Sequence, residues 1–244
     1  MRVLVISDIH SNLTALEAVL KDAGTVDEVW CLGDMIGYGP DPNAVLERLH
    51  GLPNLTCCLL GNHDVALLGD MNFAVFNTEA RKSLIWQQES ISAENLAHLR
   101  TLPQDTLVRE KVTLAHGSPR DPVWEYILNT LVARLNFEAF ETPYCFVGHS
   151  HIQCYFQLDL QRDRVSLEIP PVNHVVKLSP RAILNPGSVG QPRDRNPQAA
   201  YAIYDSTEET WEPRRAAYDI EAVQKRIRAA GLPEKHASRL ADGW

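Results

Sequence analysis

Three short apolar runs, Val3–Ser7, Glu28–Leu32 and Leu55–Leu60, alternate with two capped amphipathic segments at the start of the chain. Unbroken runs of this length suit parallel strands covered on both faces. Between the first two runs, Asn12 can cap a helix carrying Leu13, Leu16 and Leu20 on one face, with Gly24 at its end. Between the second and third, Asp41-Pro42 supplies an N-cap and a first-turn proline, and Gly51 closes the helix. A βαβαβ order predicts right-handed crossovers, so the loops that follow the strands gather at one edge of the sheet.

Ligands collect beyond that edge in open α/β sheets. Asp8, Asp34, Asn62, His116 and His149 each follow an apolar run by no more than two residues. They belong to Asp8-Ile9-His10, Gly33-Asp34, Gly61-Asn62-His63-Asp64, Ala115-His116-Gly117 and Gly148-His149-Ser150-His151. Carboxylate, imidazole and amide groups converging at one edge are what a pair of borderline divalent cations requires.

The region 72–103 reads as a helical insertion, Asn77–Gln88 then Ser92–Arg100, and offers a lid or a dimer surface. Thr106–Arg109 and Val112–Ala115 form a strand pair, and Trp124–Phe140 reads as mainly helical. Strands then dominate: Tyr144–Val147, Cys154–Leu160, Val165–Ile169, Val175–Leu178, Ala182–Leu184 and Tyr201–Tyr204, before a last helix over Asp219–Ala230. With no repeat or linker, the expectation is one α/β domain over residues 1–244: two packed sheets flanked by helices, parallel at the front and more antiparallel in the C-terminal half.

Composition narrows the function classes. A chain of 244 residues that is 45% hydrophobic builds its core without staples, and five cysteines in no CxxC pair read as reduced thiols of a cytoplasmic protein. The first apolar run is too short for a signal peptide or membrane span. A net charge of −8 without a basic stripe argues against long nucleic acid as a partner.

Asp-x-His, Gly-Asp, Gly-Asn-His-Asp and Gly-His-x-His, in that order with an intervening histidine, resemble the motifs of the calcineurin-like metallophosphoesterase superfamily. The likeness is to its small bacterial and archaeal phosphodiesterase-like branch. It extends to Gly37-Tyr38-Gly39-Pro40, His116-Gly117-Ser118-Pro119 and Asn185-Pro186-Gly187-Ser188. It implies a two-sheet β-sandwich flanked by helices and two divalent transition-metal ions, drawn from Mn, Fe, Co, Ni or Zn. Asp8, His10 and His151 would hold one ion, Asn62, His116 and His149 the other, and Asp34 would bridge them. A metal-bridging hydroxide would attack phosphorus in line. His63 would protonate the leaving oxygen or steady phosphoryl charge, and Asp64 would orient His63 or brace the ligands.

Substrate contacts are weighed residue by residue. Arg193 and Arg195 follow the Asn-Pro-Gly-Ser turn in a charged, proline-rich loop that either reaches the site rim or is merely solvated. Tyr38 lines the pocket or packs its loop, and Asn12, near the metals by position, is favoured as a helix cap. Trp124 and Tyr126 read as packing residues, and His50, His98, His174 and His236 as surface or core histidines. The implied reaction is hydrolysis of a small or nucleotide-like phosphodiester, with phosphomonoesters a second substrate type. A protein serine/threonine phosphatase or dinucleoside polyphosphate hydrolase fits less well. Those relatives carry Gly-Asp-x-x-Asp-Arg-Gly and an arginine before Gly-Asn-His, where this chain has Gly33-Asp-Met-Ile-Gly-Tyr-Gly39 and Leu60-Gly61. A non-catalytic protein-binding scaffold is the remaining alternative, disfavoured by the full ligand set.

Overall fold

The computed structural model describes residues 1–244. Strands β1 (Arg2–Ile6), β2 (Glu28–Cys31) and β3 (Leu55–Cys58) pair in parallel through α1 (Leu13–Ala23) and α2 (Pro42–His50). Along β1, Val3 and Val5 face the second sheet while Leu4 and Ile6 face the helices, and all four are buried. Both faces are covered, which is why the run shows no polar alternation. Antiparallel strands extend this sheet: β11 (Ala199–Asp205) beside β1, then β12 (Thr210–Ala216) and β9 (Val176–Lys177), in the order β3-β2-β1-β11-β12-β9.

The second sheet runs β4-β5-β6-β10-β7-β8. Its centre, β5 (Val112–Leu114), β6 (Tyr144–Phe146) and β10 (Ala182–Pro186), is parallel. Its flanks, β4 (Leu107–Arg109), β7 (Gln153–Asp159) and β8 (Arg164–Glu168), are antiparallel. Each sheet is therefore mixed, with a parallel trio whose C-terminal ends open toward the same region. Trp30, Tyr144, Phe146, Tyr204 and Trp211 fill the space between the sheets, each at most 1% exposed. Truncating any of them to alanine would cost roughly 3–5 kcal/mol.

Helices close the outer faces. α1, α2, α4 (Thr78–Ser90) and α5 (Ala93–Leu99) cover the first sheet, and α6 (Thr130–Asn136) the second. α7 (Ile220–Ala229) packs against α8 (Glu234–Asp242) through Val223, Ile227, Ala237 and Leu240. No helix is long and apolar enough to cross a membrane.

Four elements differ from the sequence reading. Only Thr130–Asn136 of the expected 124–140 helix is helical, because Asn129 caps it by accepting from Val132 N–H. Upstream, Glu125 is drawn out by Ser118 and Asn136, at 2.7 and 2.8 Å, leaving 122–129 as a loop over the second sheet's strand ends. Strand β12 is absent from the sequence expectation, and it contains Pro213, a residue that disfavours a central strand. Its outer neighbour β9 reaches only Thr210 and Trp211, so Pro213 lies on an edge, where proline is tolerated. Helices α3 (Asn62–Leu67) and α8 were also unforeseen, the first because it is short and wholly buried, the second because Gly231 reads as a terminus.

Candidate metal centre

Three loops descend from the first sheet, after β1, β2 and β3, and carry Asp8, His10, Asp34 and Asn62. Two come from the second sheet, after β5 and β6, and carry His116, His149 and His151. All seven residues are at most 3% exposed. Backbone hydrogen bonds knit the loops together: Asp8 N–H to Gly33 O, His10 N–H to Asp34 O, and Gly148 N–H to His116 O. Asp8, His10, Asp34, His149 and His151 all hold φ between 49° and 62°. Five non-glycine residues in the left-handed region, each costing about 1–3 kcal/mol, is strain of the kind concentrated at functional sites.

Close approach explains two glycines. A Cβ on Gly61 would overlap the Asp34 carboxylate, and one on Gly190 would overlap the Ile9 carbonyl. The Asn-Pro-Gly-Ser turn braces the same loops, with Asn185 Nδ2 donating to Gly148 O at 2.6 Å and Ser188 Oγ to Asp8 O at 2.8 Å.

The histidine tautomers follow from simple chemistry, because a backbone carbonyl only accepts. His10 Nδ1 meets Ile36 O at 2.8 Å, His116 Nδ1 meets Leu32 O at 2.9 Å, and His151 Nδ1 meets Gln191 O at 2.6 Å. His149 is turned the other way, with Nε2 on Trp124 O at 3.1 Å. Each of these nitrogens therefore donates, which leaves the other as a bare lone pair. Those lone pairs face each other: His10 Nε2 and His151 Nε2 are 3.1 Å apart, and His116 Nε2 and His149 Nδ1 3.2 Å. With all four rings neutral neither pair has a proton to share, and when no cation is bound it is His116, beside Asp34, that gains one. Asp8 Oδ1 is 3.2 Å from His151 Nε2, buried and without a hydrogen-bond donor.

Acceptors crowded in this way need a cation. Ligand atoms about 2.0–2.2 Å from a common ion lie roughly 3–3.5 Å apart. Asn62 Oδ1 and Asp34 Oδ2 stand 3.2 and 3.5 Å from His116 Nε2, and Asp34 Oδ2 also stands 3.6 Å from His10 Nε2. Asp34 is shared by two buried groups, Asp8-His10-Asp34-His151 and Asp34-His116-His149, an arrangement consistent with a dinuclear metal site. Without a cation the cluster balances its own charge. Burial would raise Asp8 and Asp34, but the neighbouring histidines hold both below the ordinary carboxylate range. Burial lowers His116, yet Asp34 more than offsets this and lifts it to about 9.

His63 lies beside the cluster, its ring 4.9 Å from that of His10, and its Nδ1 is buried without a partner. Burial pushes it down to about 4, so the ring is neutral near pH 7. Asp64 makes no hydrogen bond to His63. It accepts from Met35, Ile36 and Gly61 N–H at 3.3, 3.2 and 2.9 Å, pinning the Asp34 loop to the Gly-Asn-His turn. Its hydrogen bonds in this structure brace these two loops, and none reaches His63.

The remaining site residues divide. Tyr38 packs against both His10 and His63, with ring centroids 4.6 and 4.5 Å away, and its hydroxyl accepts from Arg193 at 3.3 Å. Arg193 and Tyr38 line a cavity of about 130 Å³ together with Asp34, Asn62, His63 and His149. Arg195, by contrast, is exposed and turns away from this cavity, its guanidinium 5.4 Å over the Trp244 ring. Asn12 is the cap of α1, accepting from Ala15 N–H and donating to Gly190 O, each at 3.1 Å, so both ends of its amide are engaged within the fold.

Five residues not assigned to the site line the same cavity: Val75, Phe76, Asn77, Trp124 and Tyr126. The Tyr126 ring stacks on His149 at 3.7 Å and 20°. For Trp124 and Tyr126 the usable signal was their position just after His-Gly-Ser-Pro, a loop that starts at His116. His236 on α8 also approaches, with its ring 4.9 Å from Tyr38.

Comparison with known proteins agrees with this geometry. A family profile, the calcineurin-like phosphoesterase superfamily domain, matches residues 1–209. An uncharacterised protein of Methanocaldococcus jannaschii is 35% identical over 98% of this chain and 96% of its own. A metallophosphoesterase of Sphaerobacter thermophilus superposes with a TM-score of 0.90 at 46% identity, covering 100% of this chain and 99% of that one. A symmetrical bis(5'-nucleosyl)-tetraphosphatase of Pseudomonas entomophila is 31% identical over 49% of this chain, a stretch that is 40% of that enzyme.

Proposed function

The chain belongs to the calcineurin-like phosphoesterase superfamily, and from that premise we propose that it hydrolyses phosphodiesters at a dinuclear metal centre. The observation that carries the reading is the two pairs of facing histidine lone pairs, each anchored by a backbone carbonyl and joined through Asp34. Asp8, His10 and His151 would hold one ion, Asn62, His116 and His149 the other, with Asp34 common to both. When bound, two such ions supply Lewis-acid charge for the phosphoryl oxygens and a water of lowered pKa as nucleophile.

The chain's own residues do the rest. Arg193 presents a cation at the cavity wall, and its buried Nε has no partner within the protein. The guanidinium at the wall is the natural partner for a phosphoryl oxygen. A single guanidinium matches the one charge of a diester better than the two of a monoester. His63, neutral with one ring proton, is placed to steady or protonate the departing oxygen. Tyr38 packs against the edges of both His63 and His10 and holds Arg193 toward the cavity.

The test is an assay of metal-stripped protein, with and without Mn²⁺, on an aryl phosphodiester and the matching monoester. Mn²⁺-dependent cleavage with the diester faster is expected, and a faster monoester would overturn the diester assignment. No turnover of either substrate with two metals bound would favour a scaffold. The tetraphosphatase likeness over half the chain supports a second reading, cleavage of dinucleoside polyphosphates, checked on the same preparation with diadenosine tetraphosphate.

A further inference from the structure

The cavity at the metals is about 130 Å³, room for a phosphoryl group and little more. Pockets that hold whole small molecules run from about 300 to 1,000 Å³. A second, largely apolar pocket of about 400 Å³ adjoins it, sharing Tyr126 and Arg193 as a common wall. Leu128, Ser150, Ile152, Arg239 and Trp244 complete its lining. Ile152 directly follows the ligand His151, so the second pocket begins where the metal centre ends.

The chemistry of this pocket is specific. Tyr126 is fixed flat by stacking on His149, and the Trp244 indole lies under the Arg195 guanidinium at 5.4 Å. Tyr126, Leu128 and Trp244 remain 40%, 52% and 60% exposed, a cluster of large apolar side chains open to solvent beside a polar site. Arg193 stands at the junction and lines both cavities, so its guanidinium can meet a phosphoryl oxygen while its neighbours meet the group attached to it.

Resting on the phosphoesterase reading, the geometry points to a substrate whose phosphoryl group carries a planar aromatic substituent, seated among Tyr126, Leu128, Ile152 and Trp244. A nucleobase reached through its ribose and an aryl group joined directly share that chemistry. Fixed aromatic rings favour flat π-systems, and the two arginines favour rings rich in acceptor atoms. This pocket, rather than the metal centre, selects the substrate.

Calorimetric titration of the Mn²⁺-loaded protein tests this without turnover, using AMP against ribose 5-phosphate and phenyl phosphate against methyl phosphate. The aromatic member of a pair is expected to bind about tenfold tighter, within the usual worth of stacking on protein aromatics. A preference in the first pair alone identifies a nucleotide, and in the second alone an aryl ester. In Leu128→Glu, and independently in Trp244→Ala, the ratio within the pair should fall to about twofold or less. Equal affinities in both pairs, or a preference that survives both substitutions, would overturn the inference. Inorganic phosphate, too small to span both pockets, reports on the metal centre alone. If it fails to bind, the phosphoesterase reading is what fails.

Discussion

His63 is the side chain on which the proposed chemistry turns, because it is the histidine of the cavity wall that no metal position and no side-chain hydrogen bond claims. His63→Ala with both metals retained should lower kcat by roughly 10²–10⁴, the usual worth of an acid–base group. A wild-type rate with unchanged metal content would remove it from the mechanism. His236 lends itself to a different test. Burial first of all pushes it from 6.5 down to about 4, although its Nε2 meets Glu79 O at 3.1 Å. A base whose folded pKa is depressed stays neutral in the native state and takes up its proton on unfolding. Its contribution is therefore complete above pH 6.5 and lost as pH falls toward 4, about 3 kcal/mol in all. Chelator-treated wild type and His236→Phe, unfolded thermally from pH 7 to pH 4, should diverge by that amount, with the wild type losing more. Parallel curves would show that His236 is not buried as a neutral ring. The motif residues were legible as candidate ligands because two carboxylates, one amide and four imidazoles recur at strand ends. Asn12 was legible as the cap of α1 from its place just before the helix, whereas that Arg193 and Arg195 diverge was not legible. A side chain's direction depends on the backbone around it, not on its type.

Helix α4 shows how an element without chemistry of its own determines the site. Gln87 accepts from Gly37 N–H at 2.7 Å and donates to Ser11 Oγ and Gly39 O, both at 2.9 Å. Ser83 Oγ accepts from Tyr38 N–H at 3.3 Å. The helix thus holds the two loops that carry His10 and Asp34, and the turn before it places Phe76 and Asn77 in the cavity wall. Gln87→Ala should destabilise the protein by about 1–3 kcal/mol through buried groups left unpaired. It should also weaken metal binding by roughly 10–100-fold, the usual penalty for losing support behind ligands. Unfolding in chelator reads the first effect and metal titration the second. Loss of stability with unchanged metal affinity would show that α4 supports the fold but not the centre. The sequence foretold this helix from its caps and spacing, yet read it as a lid or a dimer surface. Its inward glutamine cannot be told from a surface one until the face it packs on is known.

At the scale of the whole molecule, the two sheets meet at the metal ligands. Asp8, Asp34 and Asn62 come from one sheet, His116, His149 and His151 from the other, so a bound ion ties the sheets across the mouth of the sandwich. Metal should therefore stabilise the whole fold. At a free concentration of 100 times Kd the gain is about 2.7 kcal/mol for one site. For a chain of this length that corresponds to roughly 5–10 °C in Tm. Thermal unfolding across a Mn²⁺ series in stripped protein should trace this rise, and a flat series would mean that the buried histidines hold no ion.

The sequence by itself determined the βαβαβ start, the pairing of a parallel trio with antiparallel strands, and the identity of the seven polar residues at the strand ends. Those features follow from local causes: strand length, caps, and an apolar pattern that must be buried on both faces. Only the tertiary structure decided that histidine lone pairs meet at 3.1 and 3.2 Å, and that a loop read as helix brings Trp124 and Tyr126 to the site. It also decided that α8 and residue 244 help to wall a pocket beside residues near position 150. The physical reason is that these contacts join segments distant in the chain, and their geometry is set by how two sheets pack, which no local pattern encodes.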